Sequence, residues 1–107
     1  MTIIAELPLD LAGHEEKVVV RLFAPEGRAT GPGWVCRFEV GAPISYSLDV
    51  AGESSLQAVA LALKGLAACL YGSDEYRAGK LGAYGEFGGY LGIPAPNIFL
   101  DDAPYPF

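Results

Sequence analysis

Apolar and polar residues alternate through the first half of the chain. Ile3, Ala5, Leu7, Leu9 and Leu11 share one face while Glu6, Pro8 and Asp10 fall on the other, the period-two pattern of a strand with one side against a core. Pro8 lacks an amide hydrogen and suits an edge. A turn at 12–15 leads to a Val-rich strand at 17–24, whose second face carries Lys17, Val19, Arg21 and Phe23. Residues 25–33 are dense in Gly and Pro and predict a loop. Trp34, Cys36, Phe38 and Val40 then alternate with Val35, Arg37 and Glu39. After Gly41-Ala42-Pro43, Ile44, Tyr46, Leu48 and Val50 alternate with Ser45, Ser47 and Asp49. Four successive strands within 1–51, joined by short connections, predict an antiparallel meander with one buried face.

Beyond Gly52 the apolar period lengthens to that of a helix. Ser54 followed by Gln57 has capping-box spacing, which predicts a helix over 54–71 with Ser54 as N-cap. Leu56, Val59, Ala60, Leu63, Leu66, Ala67 and Leu70 form the face expected against the sheet. Ala58, Leu61, Ala62, Ala68 and Cys69 make the flanks apolar too, and Gln57 and Lys64 leave one narrow polar stripe. A helix apolar nearly all round is covered on more than one side. Gly72 is the expected stop.

From 78 onward the chain turns to Gly, Tyr, Phe and Pro. Gly79, Gly82, Gly85 and Gly88 are spaced by three, and Pro94, Pro96, Pro104 and Pro106 preclude a long regular element. The reading is an irregular C-terminal wrap over 78–107. It carries Tyr84, Phe87, Tyr90, Leu91, Ile93, Ile98 and Phe99, too much apolar surface to leave in water. Residues 86–93 and 97–100 have two options, an edge strand or an irregular lid. The fold class expected is α+β in a single domain over 1–107: a four-stranded antiparallel meander packed on one long α-helix, with a Gly/Pro/aromatic C-terminal segment.

Composition sharpens this picture by exclusion. The 107 residues are 51% hydrophobic and 19% charged, with a formal net charge of -6, which disfavours nucleic acid and anionic membranes as partners. The longest apolar run, 58–63, falls far short of the ~20 residues a bilayer demands. The first residues have neither a basic stretch nor a long apolar one, so no secretory signal is expected. Cys36 and Cys69 fall at apolar-facing positions, the pattern of free thiols in a reducing cytoplasm.

Chemistry-bearing motifs are scarce. One histidine and two cysteines 33 positions apart supply no metal-ligand set, and Gly79-Lys80 lacks the spacing of a phosphate-binding loop. Cys36 with His14 is the one Cys/His candidate near the sheet, yet Cys36 shares a face with Trp34 and Phe38, and His14 sits in a solvated turn. Asp101-Asp102 reads as a solvated pair. No catalytic residue, metal ligand or cofactor is therefore assigned. Glu6, Arg21, Arg37 and Glu39 read as cross-strand ion pairs, or, with Val19, Phe23 and Val35 among them, as a binding patch. Trp34 reads as a core anchor or a binding-site aromatic. The residues singled out as partner or ligand contacts are Arg21, Trp34, Arg37, Glu39, Tyr84 and Tyr90.

Gly33-Trp34-Val35-Cys36-Arg37-Phe38, the run Glu53-Ser54-Ser55-Leu56-Gln57-Ala58-Val59-Ala60-Leu61-Ala62-Leu63, and Gly92-Ile93-Pro94 together resemble a family of small, mostly bacterial proteins known only as a domain of unknown function. The likeness spans roughly residues 15 to 95. It implies a single α+β domain in a bacterial cytoplasm, and nothing chemical.

The expected function is a non-enzymatic protein-interaction module, a homodimer in which the helix flank or the partly apolar sheet face contacts a second chain. The motivation is the surplus of apolar surface. The rival is a small-molecule-binding domain or small enzyme with a pocket between helix and aromatic tail, lined by Trp34, Tyr84 and Tyr90. A third reading, an acidic partner such as a toxin-neutralising immunity factor, is permitted by the net charge.

Overall fold

A computed structural model of the chain describes residues 1–94. Ile98, Phe99, Asp101, Asp102 and the 97–100 piece lie outside the described residues. The elements in chain order are β1 (Ile3–Leu11), β2 (Val18–Phe23), β3 (Glu26–Gly27), β4 (Trp34–Val40), β5 (Tyr46–Gly52), α1 (Ser55–Tyr71), α2 (Asp74–Arg77), β6 (Leu81–Ala83) and β7 (Glu86–Phe87). The fold is α+β, and every strand pair is antiparallel.

The meander is present as β1-β2-β4-β5. The sheet, however, has seven strands rather than four. β3 continues the line of β2 along β4, with Glu26 opposite Val35 and Gly27 opposite Trp34. β6 joins the other edge of β1 through Asp10↔Gly82 and Leu11↔Leu81, and β7 folds back on β6. Residues 81–87 are thus a hairpin rather than irregular wrap, and of the two options for 86–93 the edge strand holds at Glu86–Phe87. Its loop is Tyr84-Gly85, with φ of 55° and 82°. Two successive positive φ values make the type I′ turn, whose twist matches that of paired strands. The evenly spaced glycines acquire a reason here. Gly79, Gly85 and Gly88 hold positive φ in turns, and Gly82 lies so close under β7 that a Cβ would run into the Glu86 carbonyl.

β1 carries a one-residue irregularity near its start. Ile3 stands opposite Phe23 while Ala5 stands opposite Leu22, so the extra residue turns Ile3 onto the face of Phe23 rather than that of Leu22. The expected core face of β1 reduces to Leu9 and Leu11, with Leu7 half-buried and Ala5 exposed although it stands opposite Leu22. Pro8 occupies the part of β1 that has β2 alone as neighbour, where a missing amide hydrogen costs no ladder bond.

α1 begins as expected. The Ser54 hydroxyl accepts the Gln57 amide hydrogen at 3.0 Å, while the Gln57 side-chain oxygen accepts from the amide of Glu53 at 2.6 Å, one residue before the usual capping-box partner. At the other end the Ser73 hydroxyl donates to the Leu70 carbonyl and accepts from the Tyr76 amide, closing α1 and opening α2 with one side chain.

The rotation of α1 differs from expectation. The residues it buries are Ala58, Ala62, Leu66, Ala67 and Leu70, whereas Leu56 is 78% exposed and Leu61 and Leu63 also face outward. The cause is volume. Phe38 is fully buried on β4, and its ring lies against Gly65, where a Cβ would stand 3.5 Å from it. At Gly52, a Cβ would stand 2.5 Å from the Ala58 amide nitrogen. Where the helix comes this close, beside Gly52 and Phe38, it presents Ala58, Ala62 and Gly65, because close-packed interiors leave little room for larger side chains there, and its inward leucines are Leu66 and Leu70. The core joins Leu9, Val18, Val20, Cys36 and Phe38 to Leu66, Leu70, Leu81 and Leu91; each large apolar side chain fully buried there contributes about 1.5–3 kcal/mol.

Candidate functional site

Outward-facing leucines on α1 leave an apolar groove on the surface of the molecule. It is lined by Gln57, Ala60, Leu61, Leu63 and Lys64 of α1 and by Ile93 and Pro94, and has a volume of about 440 Å³. The wall formed by Ile93 and Pro94 belongs to no helix or strand and is held by the end of α1. The Tyr71 hydroxyl donates to the Ile93 carbonyl and accepts the Leu91 amide hydrogen at 3.0 Å. Burial raises the pKa of that hydroxyl above 10, with the Leu91 amide acting in the opposite sense. The Tyr76 hydroxyl donates to the Gly88 and Gly89 carbonyls, and the two tyrosine rings meet edge to face at 5.1 Å. Leu91 is fully buried, pinning the segment to the core.

Tyr71 and Tyr76 were not among the residues expected at a site. Tyr71 ends the apolar helix and Tyr76 follows it in α2, where a tyrosine offers an apolar body and a polar tip; nothing in the pattern names the carbonyls they reach. Lining side chains that are apolar except for an amide and an ammonium can bind an apolar surface. They hold no carboxylate, imidazole or thiol to move a proton or attack a bond.

The apolar exposure extends from α1 to the adjacent strand. Tyr46 and Leu48 of β5 pair with Val40 and Phe38 and so point to the helix-bearing face, yet they remain 43% and 41% exposed. α1 lies over β4 and β5, and its coverage ends before these side chains are buried.

Arg21, Arg37 and Glu39 come together on the opposite face of the sheet. Register places Glu6 opposite Arg21, Arg21 opposite Glu39, and Arg37 opposite Asp49, which gives a ladder of alternating charge across four strands. Arg37 donates to Glu39 at 2.9 Å, to Asp49 at 3.1 Å and to the Ser47 hydroxyl at 3.1 Å; the bond to Glu39 is the main cause of its raised pKa. All three guanidinium nitrogens are engaged within the sheet. Arg21 reaches Glu6 at 3.7 Å. Such solvent-reached pairs add little to stability, because water screens them and long side chains must be ordered to form them.

The three expected aromatics are not brought together. Trp34 starts β4 with Gly27 and Gly52 as its register partners, so no side chain stands beside it on either neighbouring strand. Tyr84 is 80% exposed in the hairpin loop and Tyr90 is exposed. None of the three lines the groove. Tyr84 instead borders an open cleft with Pro8, Asp10, His14 and Lys17. There Asp10 accepts from Lys17 and from the Gly85 amide, and these bonds, the lysine first, hold its carboxyl below the ordinary value.

Both cysteines are free thiols. Cys36 is buried and donates to the Phe23 carbonyl at 3.3 Å; burial raises the pKa of both thiols, Glu75 adding to the effect at Cys69. Among the described residues, no three His, Cys, Asp or Glu side chains gather to hold a metal ion. No helix among them is long and apolar enough to cross a membrane.

The chain belongs to the family described as "Domain of unknown function (DUF6968)", which matches residues 5–95. No curated protein and no solved structure matches it.

Proposed function

We propose that the protein is a non-enzymatic interaction module that works as a homodimer, joined through the layer formed by α1 and β5. The observation that carries this reading is the outward display of Leu56, Leu61 and Leu63 on α1 together with Tyr46 and Leu48 on β5, large apolar side chains gathered on adjoining elements of one layer. Charge sets where two copies could meet. The chain has a net charge of -6, which repels a second copy at most approaches, whereas α1 carries no acidic residue. The free thiols of Cys36 and Cys69 suit a cytoplasmic setting. Sedimentation equilibrium across the micromolar range tests the proposal, with twice the chain mass expected. A monomer at high micromolar concentration overturns it.

A second reading rests on the groove itself. A volume of about 440 Å³ falls within the ~300–1,000 Å³ of small-molecule pockets, so an apolar ligand seated between α1 and Ile93 is the rival function. An apolar fluorescent dye that binds the native protein and is lost in Ala60→Phe, which fills the groove, supports it.

A further inference from the structure

We infer that the seam of this homodimer is the outer edge of β5, paired antiparallel with β5 of a second copy about a two-fold axis at Leu48. This rests on the homodimeric reading above and specifies where the copies meet.

The two sides of the sheet are protected unequally. Exposed strand edges present unpaired amides and carbonyls to other chains, and proteins blunt them with proline, lysine, bulges or short strands. One side of the sheet has such devices: β7 is two residues long, and the open part of β1 carries Pro8 and a register irregularity near Ile4. β5 has none of them. It keeps unbroken register with β4 over all seven residues, from Trp34↔Gly52 to Val40↔Tyr46, and contains no proline, lysine or arginine. Among the described residues, no strand pairs with its other edge.

The edge is self-complementary in one register. An axis at Leu48 sets Leu48 against Leu48 of the second copy and Tyr46 against Val50 on the helix-bearing face. On the opposite face it sets Ser47 against Asp49, so that the hydroxyl donates to the carboxylate. Moving the axis to Asp49 instead places two carboxylates directly opposite each other, a destabilising pair. The chosen register covers the side chains that α1 leaves half-exposed, Tyr46 and Leu48.

The helices fit the same axis. Strands lie about 4.8 Å apart, so a helix over the β4–β5 pair stands about 5 Å from an axis beside β5. Its symmetry mate then lies about 10 Å away, close to the ~8–10 Å separation of packed helices. The result is one continuous sheet with two α1 helices side by side on it.

Leu48→Cys and Leu48→Lys test the seam. On the axis the two Leu48 Cα atoms come within about 4.5–5.5 Å, inside the range a disulfide spans. Leu48→Cys in a Cys69→Ser background is expected to form a covalent dimer on mild oxidation, while Asp49→Cys does so far less. Leu48→Lys opposes two ammonium groups and is expected to halve the sedimentation mass, with the far-ultraviolet circular dichroism unchanged. A dimer that survives Leu48→Lys and does not cross-link through Leu48→Cys overturns the seam and leaves the homodimer standing. A wild-type monomer overturns both. If Leu48→Lys fails to fold, cross-linking of Leu48→Cys decides.

Discussion

The Tyr71 hydroxyl accepts the amide hydrogen of Leu91 at 3.0 Å, tying the last turn of α1 to a segment twenty residues further along the chain. The same oxygen donates to the Ile93 carbonyl. One phenol thereby satisfies two backbone groups and builds the wall of the groove.

Tyr71→Phe keeps the ring and removes both bonds. Leaving a part-buried amide without its acceptor costs about 1–3 kcal/mol, to be read from urea denaturation. Amide exchange at Leu91 is expected to quicken more than exchange in β2 or β4. Uniform loss of protection throughout the sheet would contradict a local anchoring role.

The rotation of α1 is checked by two leucines of opposite exposure. Leu56→Gln is expected to shift the unfolding free energy of the monomer by no more than ~0.5 kcal/mol, as for other surface changes. Leu66→Ala, which empties a buried position, is expected to cost about 2–5 kcal/mol. Equal losses would place Leu56 in the core, where the apolar periodicity alone sets it.

Gly52 and Gly27 form a second contrast, this time between crowded and open backbone. A Cβ on Gly52 meets the Ala58 nitrogen at 2.5 Å and its Cα at 2.8 Å, while one on Gly27 meets nothing within 4 Å. Gly52→Ala is therefore expected to lower stability by about 1–3 kcal/mol or more, since helix and strand must separate. Gly27→Ala should be nearly neutral in the same thermal melts.

Asp10 links stability to pH at the hairpin loop. Its bonds to Lys17 and the Gly85 amide lower its folded pKa from the ordinary 3.8, so the folded state holds the ionised form more tightly than the unfolded chain does. Its contribution is present above pH 3.8 and disappears as pH falls through the lower folded value. Thermal melts of the native protein and Asp10→Asn should differ by a constant amount near neutrality and converge in acid. Added salt should narrow the gap, because the pair with Lys17 is reached by solvent.

Periodicity made the meander legible: the alternations of β2, β4 and β5 reappear in their register, except that Ile44 and Ser45 fall in the turn before β5, which starts at Tyr46. The Ser54 cap and the Gly72 stop were equally visible, since each depends on a few adjacent residues. The β6–β7 hairpin was not recognised because its loop places tyrosine, rather than Asn, Asp or Gly, at the first positive-φ position. The charge ladder of Arg21, Arg37 and Glu39 could be anticipated as a face. That Asp49 and Ser47 complete the set around Arg37 followed only from cross-strand register.

By itself the sequence determined that strands precede a capped helix, which faces of β2 and β4 are apolar, and that apolar surface exceeds what one helix side can bury. These follow from local polarity, which repeats with the geometry of the backbone. Tertiary structure decided which side of α1 meets the sheet, how far the sheet extends beyond β1, and that the outward leucines and the edge of β5 share one layer. Those outcomes depend on volume, since Phe38, Gly52 and Gly65 admit alanine between helix and strand, leaving Leu66 and Leu70 inward and Leu56, Leu61 and Leu63 outward. A pattern of apolar and polar letters records hydrophobicity without recording room.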